Sequence, residues 1–273
     1  MSLHGRQRRE QILTEVADRK HVAIKDLAAK LPASEATIRR DLKVLADEGA
    51  VELVHGGVML PRTSSSFLSK AERNPEAKRV IGRLAADLVA DGEQVFLDSG
   101  TTCFAMAPFL KRKRGLSILA NSARLALELD MPGSSIMLGG QYRPDRMDTV
   151  GPLAASSLEQ LRGYLCFIGA DGISMDVGLM AADIESAHIY RLAVQNARET
   201  ILLVDHTKFL SPSLFKIAGW DAVSRVVTDQ PPSPQWMEFF QARGIRVLAP
   251  ASNAGVPAGS TAGQAGSGTD ATS

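Results

Sequence analysis

The run Ser34-Glu35-Ala36-Thr37-Ile38-Arg39-Arg40-Asp41-Leu42-Lys43-Val44-Leu45, followed by Gly49 and by His55-Gly56-Gly57, combines two chemistries at helical spacing. At about 100° per residue, Ile38, Leu42 and Leu45 fall in one narrow stripe. Ala36, Arg40 and Lys43 point the opposite way, and Arg39 lies at the edge. One face is core and the other is basic, which is what a helix needs to read a DNA groove: guanidinium groups for phosphates and guanine edges, backed by a buried anchor. Arg39 and Arg40 are the expected DNA contacts, with Ser34, Glu35, Ala36, Thr37 and Lys43 as their neighbours at the groove. Ser34 supplies an N-cap, and the preceding Pro32 ends the helix before it.

A second constellation is Val95-Phe96-Leu97-Asp98-Ser99-Gly100-Thr101-Thr102, an apolar strand running into a small, hydroxyl-rich turn and then a helix. Unsatisfied amides and a positive dipole end at such a turn make it an anion cradle; a capped strand-to-helix turn with no ligand reads the same way. Other strand ends carry Asn121-Ser122, Leu138-Gly139-Gly140, Gly169-Ala170-Asp171-Gly172 and Asp205-His206-Thr207-Lys208. In open α/β sheets the ligand lies beyond the carboxyl ends of the strands, and these residues suit one phosphate and several hydroxyls. Asp98 and Asp171 would accept from hydroxyls, since a carboxylate repels phosphate, and Lys208 would bring positive charge. The expected ligand-binding set is Asp98, Ser99, Gly100, Thr101, Thr102, Asn121, Gly139, Gly140, Gly169, Asp171, Gly172, Asp205 and Lys208. Taken singly, a Gly or Asp after a strand is also an ordinary turn former.

The elements that must position these residues follow from pattern. Arg6 to Arg19 has amphipathic spacing at Ile12, Leu13, Val16 and Ala17, and Ile24 to Leu31 repeats it briefly. Ser34 to Glu48 is a third helix ending at Gly49. Val51, Leu53 and the Gly56-Gly57 pair then predict a two-stranded hairpin reaching Leu60. Residues 1–60 therefore read as a winged helix-turn-helix. Residues 61–75, polar and serine-rich, read as a linker. Residues 76–250 alternate helices (Glu76 to Ala90, Thr102 to Leu110) with strands at Gln94–Leu97, Leu116–Leu119, Ile136–Leu138, Leu165–Ile168, Thr200–Val204, Arg225–Val227 and Ile245–Leu248. That alternation implies a multi-domain chain whose C-terminal part is an α/β domain with a mainly parallel sheet. Residues 251–273 carry hardly a charged or large apolar residue and are expected to be disordered.

Composition constrains the rest. The chain has 273 residues, 45% hydrophobic and 22% charged, which excludes wholesale disorder. A net charge of +1 says little about DNA, because a duplex meets a local basic patch and not the sum. Cys103 and Cys166 have no metal-site spacing and read as reduced, inert thiols. No apolar leader and no run of roughly 18 apolar residues occurs, so a soluble, cytoplasmic protein without membrane contact is expected. No cofactor or metal motif is present: Walker A, GxGxxG after a strand and HExxH are all missing. Lys111 to Arg114 reads as a solvated run at a helix C-terminus. His55 reads equally as a wing contact to DNA phosphate and as a turn residue.

These motifs resemble those of DeoR-type bacterial transcriptional regulators. The resemblance rests on Ser34, Thr37-Ile38-Arg39-Arg40-Asp41-Leu42, Leu45, Gly49 and His55-Gly56-Gly57. In the second domain it rests on Asp98-Ser99-Gly100-Thr101-Thr102, Asn121-Ser122, Leu138-Gly139-Gly140, Phe167-Ile168-Gly169 and Asp205-His206-Thr207-Lys208-Phe209, and it spans roughly residues 6 to 250. It implies a repressor of carbohydrate-metabolism genes whose C-terminal domain, related in fold to ribose-5-phosphate isomerase, binds a phosphorylated sugar and thereby changes operator affinity. Two positions depart from the family pattern: Leu53 stands where an arginine is usual in the wing, and Tyr164 near a usual aspartate. One recognition helix spans few base pairs, so a homodimer or homotetramer on double-stranded operator DNA is expected. The rival is an enzyme, a sugar-phosphate isomerase fused to a DNA-binding module. That chemistry needs a lysine after the Gly169-Ala170-Asp171 strand end, and none stands between Asp171 and Lys208. The identity of the sugar phosphate, the operator and the sign of the response are not encoded in any motif.

Overall fold

A computed structural model of the chain describes residues 3–19, 21–47, 51–59, 66–129, 134–210 and 212–250. The expected helix end at Gly49, the strand end at Leu60, the first part of the linker and the tail 251–273 lie outside the described residues.

The N-terminal domain holds α1 (Leu3–Arg19), β1 (His21–Ala23), α2 (Ile24–Lys30), α3 (Glu35–Asp47), β2 (Glu52–Val54) and β3 (Gly57–Met59). Its core gathers Ile12, Leu13, Val16, Leu27, Ile38, Leu42, Leu45 and Val58, the apolar stripes of all three helices closed by one wing residue. The wing is a three-stranded antiparallel sheet in the order β1-β3-β2, not the two-stranded hairpin expected. The added strand is three residues long and pairs His21 with Met59, a contact between distant segments that no local periodicity announces. The two wing glycines do different things. Gly56 turns the hairpin at φ +75°, while a Cβ on Gly57 would stand 2.7 Å from Val22 O and from the His21 ring.

After the wing come α4 (Phe67–Glu72), α5 (Pro75–Ala86), β4 (Gln94–Leu97), α6 (Thr101–Phe104), α7 (Ala107–Leu110), β5 (Ser117–Ala120), α8 (Ala123–Leu129) and β6 (Ser134–Met137). The chain continues through β7 (Gln141–Arg143), β8 (Asp148–Val150), α9 (Pro152–Glu159), β9 (Leu165–Gly169), β10 (Gly172–Ser174), β11 (Gly178–Ala181) and α10 (Ile184–Asn196). It ends with β12 (Glu199–Leu203), β13 (Phe215–Ala218), β14 (Arg225–Val227), α11 (Pro234–Ala242) and β15 (Arg246–Leu248). The seven strands expected from the alternation form one parallel sheet in the order β15-β14-β12-β9-β4-β5-β6. Both faces are covered. Phe96, Cys166 and Ile168 pack with α9, α10 and α11, whereas Val95, Leu97 and Phe167 pack with α5 to α8. The chain leaves β4 toward β5 and β6 and then returns to β9 on the other side of β4. The strand order therefore reverses between β4 and β9, and a ligand crevice forms at such a reversal.

Three local expectations are corrected. The sequence 61–75 contains a helix, α4, capped by Ser66 and seated through Phe67, so its second half is not linker-like in structure. Short antiparallel pairings were not anticipated: the β7–β8 hairpin and the sheet β10-β11-β13. The single helix expected over Thr102 to Leu110 is two, α6 and α7, broken at Ala105-Met106. At that break α5 comes so close that a Cβ on Gly82 would lie 2.3 Å from Ala105 O. Gly82→Ala is accordingly expected to destabilise the protein by about 1–3 kcal/mol through forced separation of the two backbones, measured as a lowered midpoint in urea unfolding.

Candidate functional site

The first candidate surface is built on α3. Ser34 Oγ accepts from Thr37 N at 3.3 Å, which fixes the helix start at the expected cap. Ala36, Arg39, Arg40 and Lys43 are exposed, Glu35 and Thr37 are half-buried, and Ile38, Leu42 and Leu45 have no exposed surface. Glu35 pairs with Arg39 at 3.4 Å one turn away, an exposed contact that yields readily to a phosphate. Among the described residues Arg40 has no ion-pair partner, so its guanidinium is presented outward. The acid of the motif, Asp41, turns the other way. It is 6% exposed and meets Arg8 Nε at 2.6 Å and Arg9 at 3.5 Å, which pins α3 to α1. Removing it leaves two partly buried guanidiniums facing each other; Asp41→Ala is expected to cost about 2–4 kcal/mol, read as a lowered thermal midpoint together with lost DNA binding. His55 is exposed at the wing turn, and Leu53 beside it is 48% exposed where the related pattern has arginine.

The second candidate site lies beyond the carboxyl ends of β4, β9 and β12. Asp98, 1% exposed, accepts from Gly100 N at 2.7 Å and from Gly169 N, and so ties the β4 loop to the β9 loop across the sheet reversal. Burial pushes its carboxyl above the usual range, against the lowering effect of those amides. Each Asp98 oxygen thus holds one backbone amide of the fold. Ser99 is likewise engaged, with Oγ donating to Asp148 Oδ2 at 2.9 Å and lying 2.8 Å from Tyr190 Oη. Asp148 is in turn gripped by Arg143 at 2.7 Å. Asp205, 2% exposed, accepts through Oδ1 from the amide and hydroxyl of Thr207 and so shapes its own turn.

The other members of the set differ in exposure. Thr101 and Thr102 begin α6, with Gly100 as the extended residue before it. Asn121 is fully buried; its Nδ2 donates to Thr149 O at 3.0 Å, and its Oδ1 has no partner among the described residues. Gly139 and Gly140 are exposed after β6. At Gly140, φ is +142° and a Cβ would meet Val150 O at 2.5 Å, so that glycine is set by backbone proximity. Gly172 opens β10. Asp171 and Lys208 are half-buried and remain within reach of a ligand.

Sequence reading missed two lysines here. Lys70 of α4 donates to Asp171, and Lys78 of α5, 7% exposed, donates to the carbonyls of Lys70 and Arg73. Burial lowers the Lys78 ammonium to about 8, with Lys208, Arg73 and Lys70 pushing the same way and Asp205 opposing. Burial alone would raise the Asp171 carboxyl, yet Lys70 and Lys208 hold it well below the usual range. Four cations thus surround two carboxylates at one end of the sheet. The available signal was a lysine standing in register with the buried stripe of α5, beside Ile81, Gly82 and Ala85.

The remaining expectations resolve simply. Lys111 pairs with Glu128 at 3.0 Å and Arg114 with Asp91 at 3.1 Å, as befits a solvated run. Tyr164 is core: it stacks on Phe96 and donates to Ala193 O at 3.0 Å. Among the described residues no helix is long and apolar enough to cross a membrane.

Comparison with known proteins agrees with this division. The DeoR-like helix-turn-helix domain family matches residues 8–64, and the DeoR C terminal sensor domain family matches residues 73–230. The HTH-type transcriptional regulator GlpR of Haloferax volcanii is 31% identical over 247 residues, covering 89% of this chain and 96% of its own. The glycerol-3-phosphate regulon repressor of Escherichia coli is 29% identical, covering 88% of this chain and 97% of its own. Among solved structures, ribose 5-phosphate isomerase A from Methanocaldococcus jannaschii aligns with 50% of this chain and 54% of its own, at 19% identity and a TM-score of 0.37. Two family matches in chain order, together with a relative matched along nearly its whole length, establish that the chain belongs to the DeoR family of transcriptional regulators.

Proposed function

We propose that this regulator is a repressor of carbohydrate-metabolism genes, that α3 enters the operator major groove, and that a phosphorylated sugar bound at the β4, β9 and β12 strand ends controls operator affinity. The observation that carries the reading is the sorting of charge on α3: Arg39, Arg40 and Lys43 face out while Asp41 is turned inward onto Arg8. In the second domain, Lys78 and Lys208 would hold the phosphate and Asp171 would accept from sugar hydroxyls. The printed name of the E. coli relative, a glycerol-3-phosphate regulon repressor, supports a small phosphorylated ligand as the class. No catalytic role is assigned, because the isomerase reading has no lysine between Asp171 and Lys208.

A single domain of this size reads too few base pairs to stand out among competing genomic sites, so the working form is a homodimer or homotetramer on repeated half-sites. Edge strand β6, with Ile136 41% and Met137 49% exposed, offers uncovered apolar surface for such assembly. The test is fluorescence anisotropy of DNA from the chain's own upstream region, titrated with protein at fixed salt with and without a panel of sugar phosphates. Tight binding that one sugar phosphate weakens supports the reading; absence of specific binding under every condition overturns it.

A further inference from the structure

The ends of the central strands stand in a row, and each is followed by a charged or hydroxyl-bearing group: Lys208 after β12, Asp171 after β9, the turn from Ser99 to Thr102 after β4, and Arg124 after β5. Arg124, the second residue of α8, differs from the arginines near it. Arg143 and Arg146 on the β7–β8 hairpin are ion-paired, with Asp148 at 2.7 Å and Asp183 at 2.9 Å. Arg124 is half-buried, and among the described residues no carboxylate pairs with it. Its Nε is buried without a hydrogen-bond partner among those residues, and its Nη1 donates to the thioether of Met147 at 3.7 Å, a weak acceptor. The guanidinium lies over the rings of Phe67 in α4 and Phe104 in α6, 5.2 and 5.4 Å from their centroids, and the two rings meet edge-on at 5.4 Å. Aromatic faces hold the plane of a guanidinium and leave the N–H groups at its edge unanswered. A buried donor without an acceptor is costly, so the position suits an incoming anion.

We propose that Arg124 binds a second anionic group of the ligand, so that the compounds taken by the strand-end site carry two: a phosphate ester at Lys78 and Lys208, and a phosphate or carboxylate at Arg124. This rests on the reading of that site as a sugar-phosphate site and narrows it. Strands β12 and β5 are separated by β9 and β4, three strand spacings or about 14 Å. Long side chains reaching in from both ends leave room for a short carbon chain with a charge at each end and its hydroxyls over the β4 turn. A guanidinium suits the second position. It is weakly hydrated, keeps its charge throughout the physiological pH range, and matches two oxygens of a phosphate or carboxylate with its planar fork. The rings of Phe67 and Phe104 fix that plane in advance, which lowers the ordering cost of binding. A ligand with one phosphate leaves the fork unanswered and binds more weakly. Arg124 is thus a specificity-determining residue, selecting doubly anionic sugars over sugar monophosphates.

The test uses the full chain and three probes in calorimetric titration: fructose 6-phosphate, fructose 1,6-bisphosphate and 6-phosphogluconate. The parent is expected to bind a doubly anionic probe about 10- to 150-fold more tightly than fructose 6-phosphate, the worth of a charge-assisted hydrogen bond. Whether the bisphosphate or the sugar acid shows the larger preference tells a phosphate at Arg124 from a carboxylate. Arg124→Met is expected to bring the ratio close to one. Arg124→Lys keeps a charge over the two rings but lacks the fork, and is expected to lower the ratio severalfold with α4 still seated. A ratio that both variants leave intact overturns the proposal, even when affinity for all three probes falls together, because a uniform loss makes Arg124 a clamp on α4 and nothing more. The parent also separates this inference from the reading beneath it. Binding of fructose 6-phosphate with no preference for either doubly anionic probe defeats the second anion alone, whereas binding of no probe defeats the site and the second anion together.

Discussion

Arg40→Ala should lower operator affinity about 5- to 150-fold while leaving the thermal midpoint where it is. The magnitude is that of a lost arginine contact to a guanine edge, roughly 1–3 kcal/mol. The unchanged stability follows from the structure, since Arg40 is exposed and has no ion-pair partner among the described residues. The position of Arg40 on α3, opposite Ile38, Leu42 and Leu45, directs it away from the core by helix geometry alone. Anisotropy titrations at several salt concentrations distinguish the two forms the contact can take. If Arg40 reads a base, the loss is confined to operators carrying that base pair and the salt slope stays nearly constant. If it neutralises a phosphate, binding weakens on every sequence and the slope falls by about one. A lowered thermal midpoint would instead make Arg40 structural, the role that Asp41 fills one position further on. The contrast between neighbours is the sharper measurement, because Arg40 and Asp41 are adjacent in sequence yet occupy different faces of α3, one exposed and one buried.

What the sequence disclosed and what it concealed divide along the range of the interactions. The stripe Ile38, Leu42, Leu45 and the cap at Ser34 are local, obeying a period of 3.6 and a three-residue hydrogen bond, and both appear in the structure as read. The parallel strands were legible for the same reason: each is a short run rich in apolar residues, and the central ones, such as Val95-Phe96-Leu97, are buried on both faces. Strand β1 was not legible, because its three residues become a strand only by meeting β3. Helix α4 was hidden for a related reason. Its six residues are stabilised by Phe67 seating on Phe104 and by Lys70 reaching Asp171, a residue 101 positions away. The amide contacts of Asp98 and Asp205 were hidden because a carboxylate at a strand end has two uses, binding a ligand or binding backbone amides. Sequence does not show those contacts, whereas the structure does, with both groups only 1–2% exposed. Lys78 is the instructive miss. A lysine in the register of a buried stripe is costly without a compensating task, and the structure encloses it beside Lys208 and Asp205.

That cost makes Lys78 the origin of a measurable pH dependence. Its ammonium titrates near 8 in the folded protein, against about 10.4 for an unperturbed lysine in the unfolded chain. Between those values the unfolded chain carries one more proton than the native one. Stability therefore rises with pH across that window, by an amount on the order of 3 kcal/mol, and below pH 8 the cost of the buried charge is borne in full. A phosphate dianion reverses the preference by favouring the charged lysine. Ligand binding at pH near 8.5 is then expected to take up a proton, and affinity is expected to fall as pH rises through 8. Calorimetric titration of a sugar phosphate in two buffers of different ionisation heat reads that uptake directly. Lys78→Met keeps the aliphatic stem and deletes the charge. It is expected to weaken ligand affinity about 10- to 150-fold, the worth of a charge-assisted hydrogen bond, and to abolish the proton uptake. Asp205, Lys208, Arg73 and Lys70 are the charged groups that set the Lys78 titration, and Lys208→Met supplies the control: it too should weaken binding, but with Lys78 in place the proton uptake persists and shifts to higher pH, because a repelling charge has been removed. Proton uptake that survives Lys78→Met would place the titrating group elsewhere and remove Lys78 from the phosphate site.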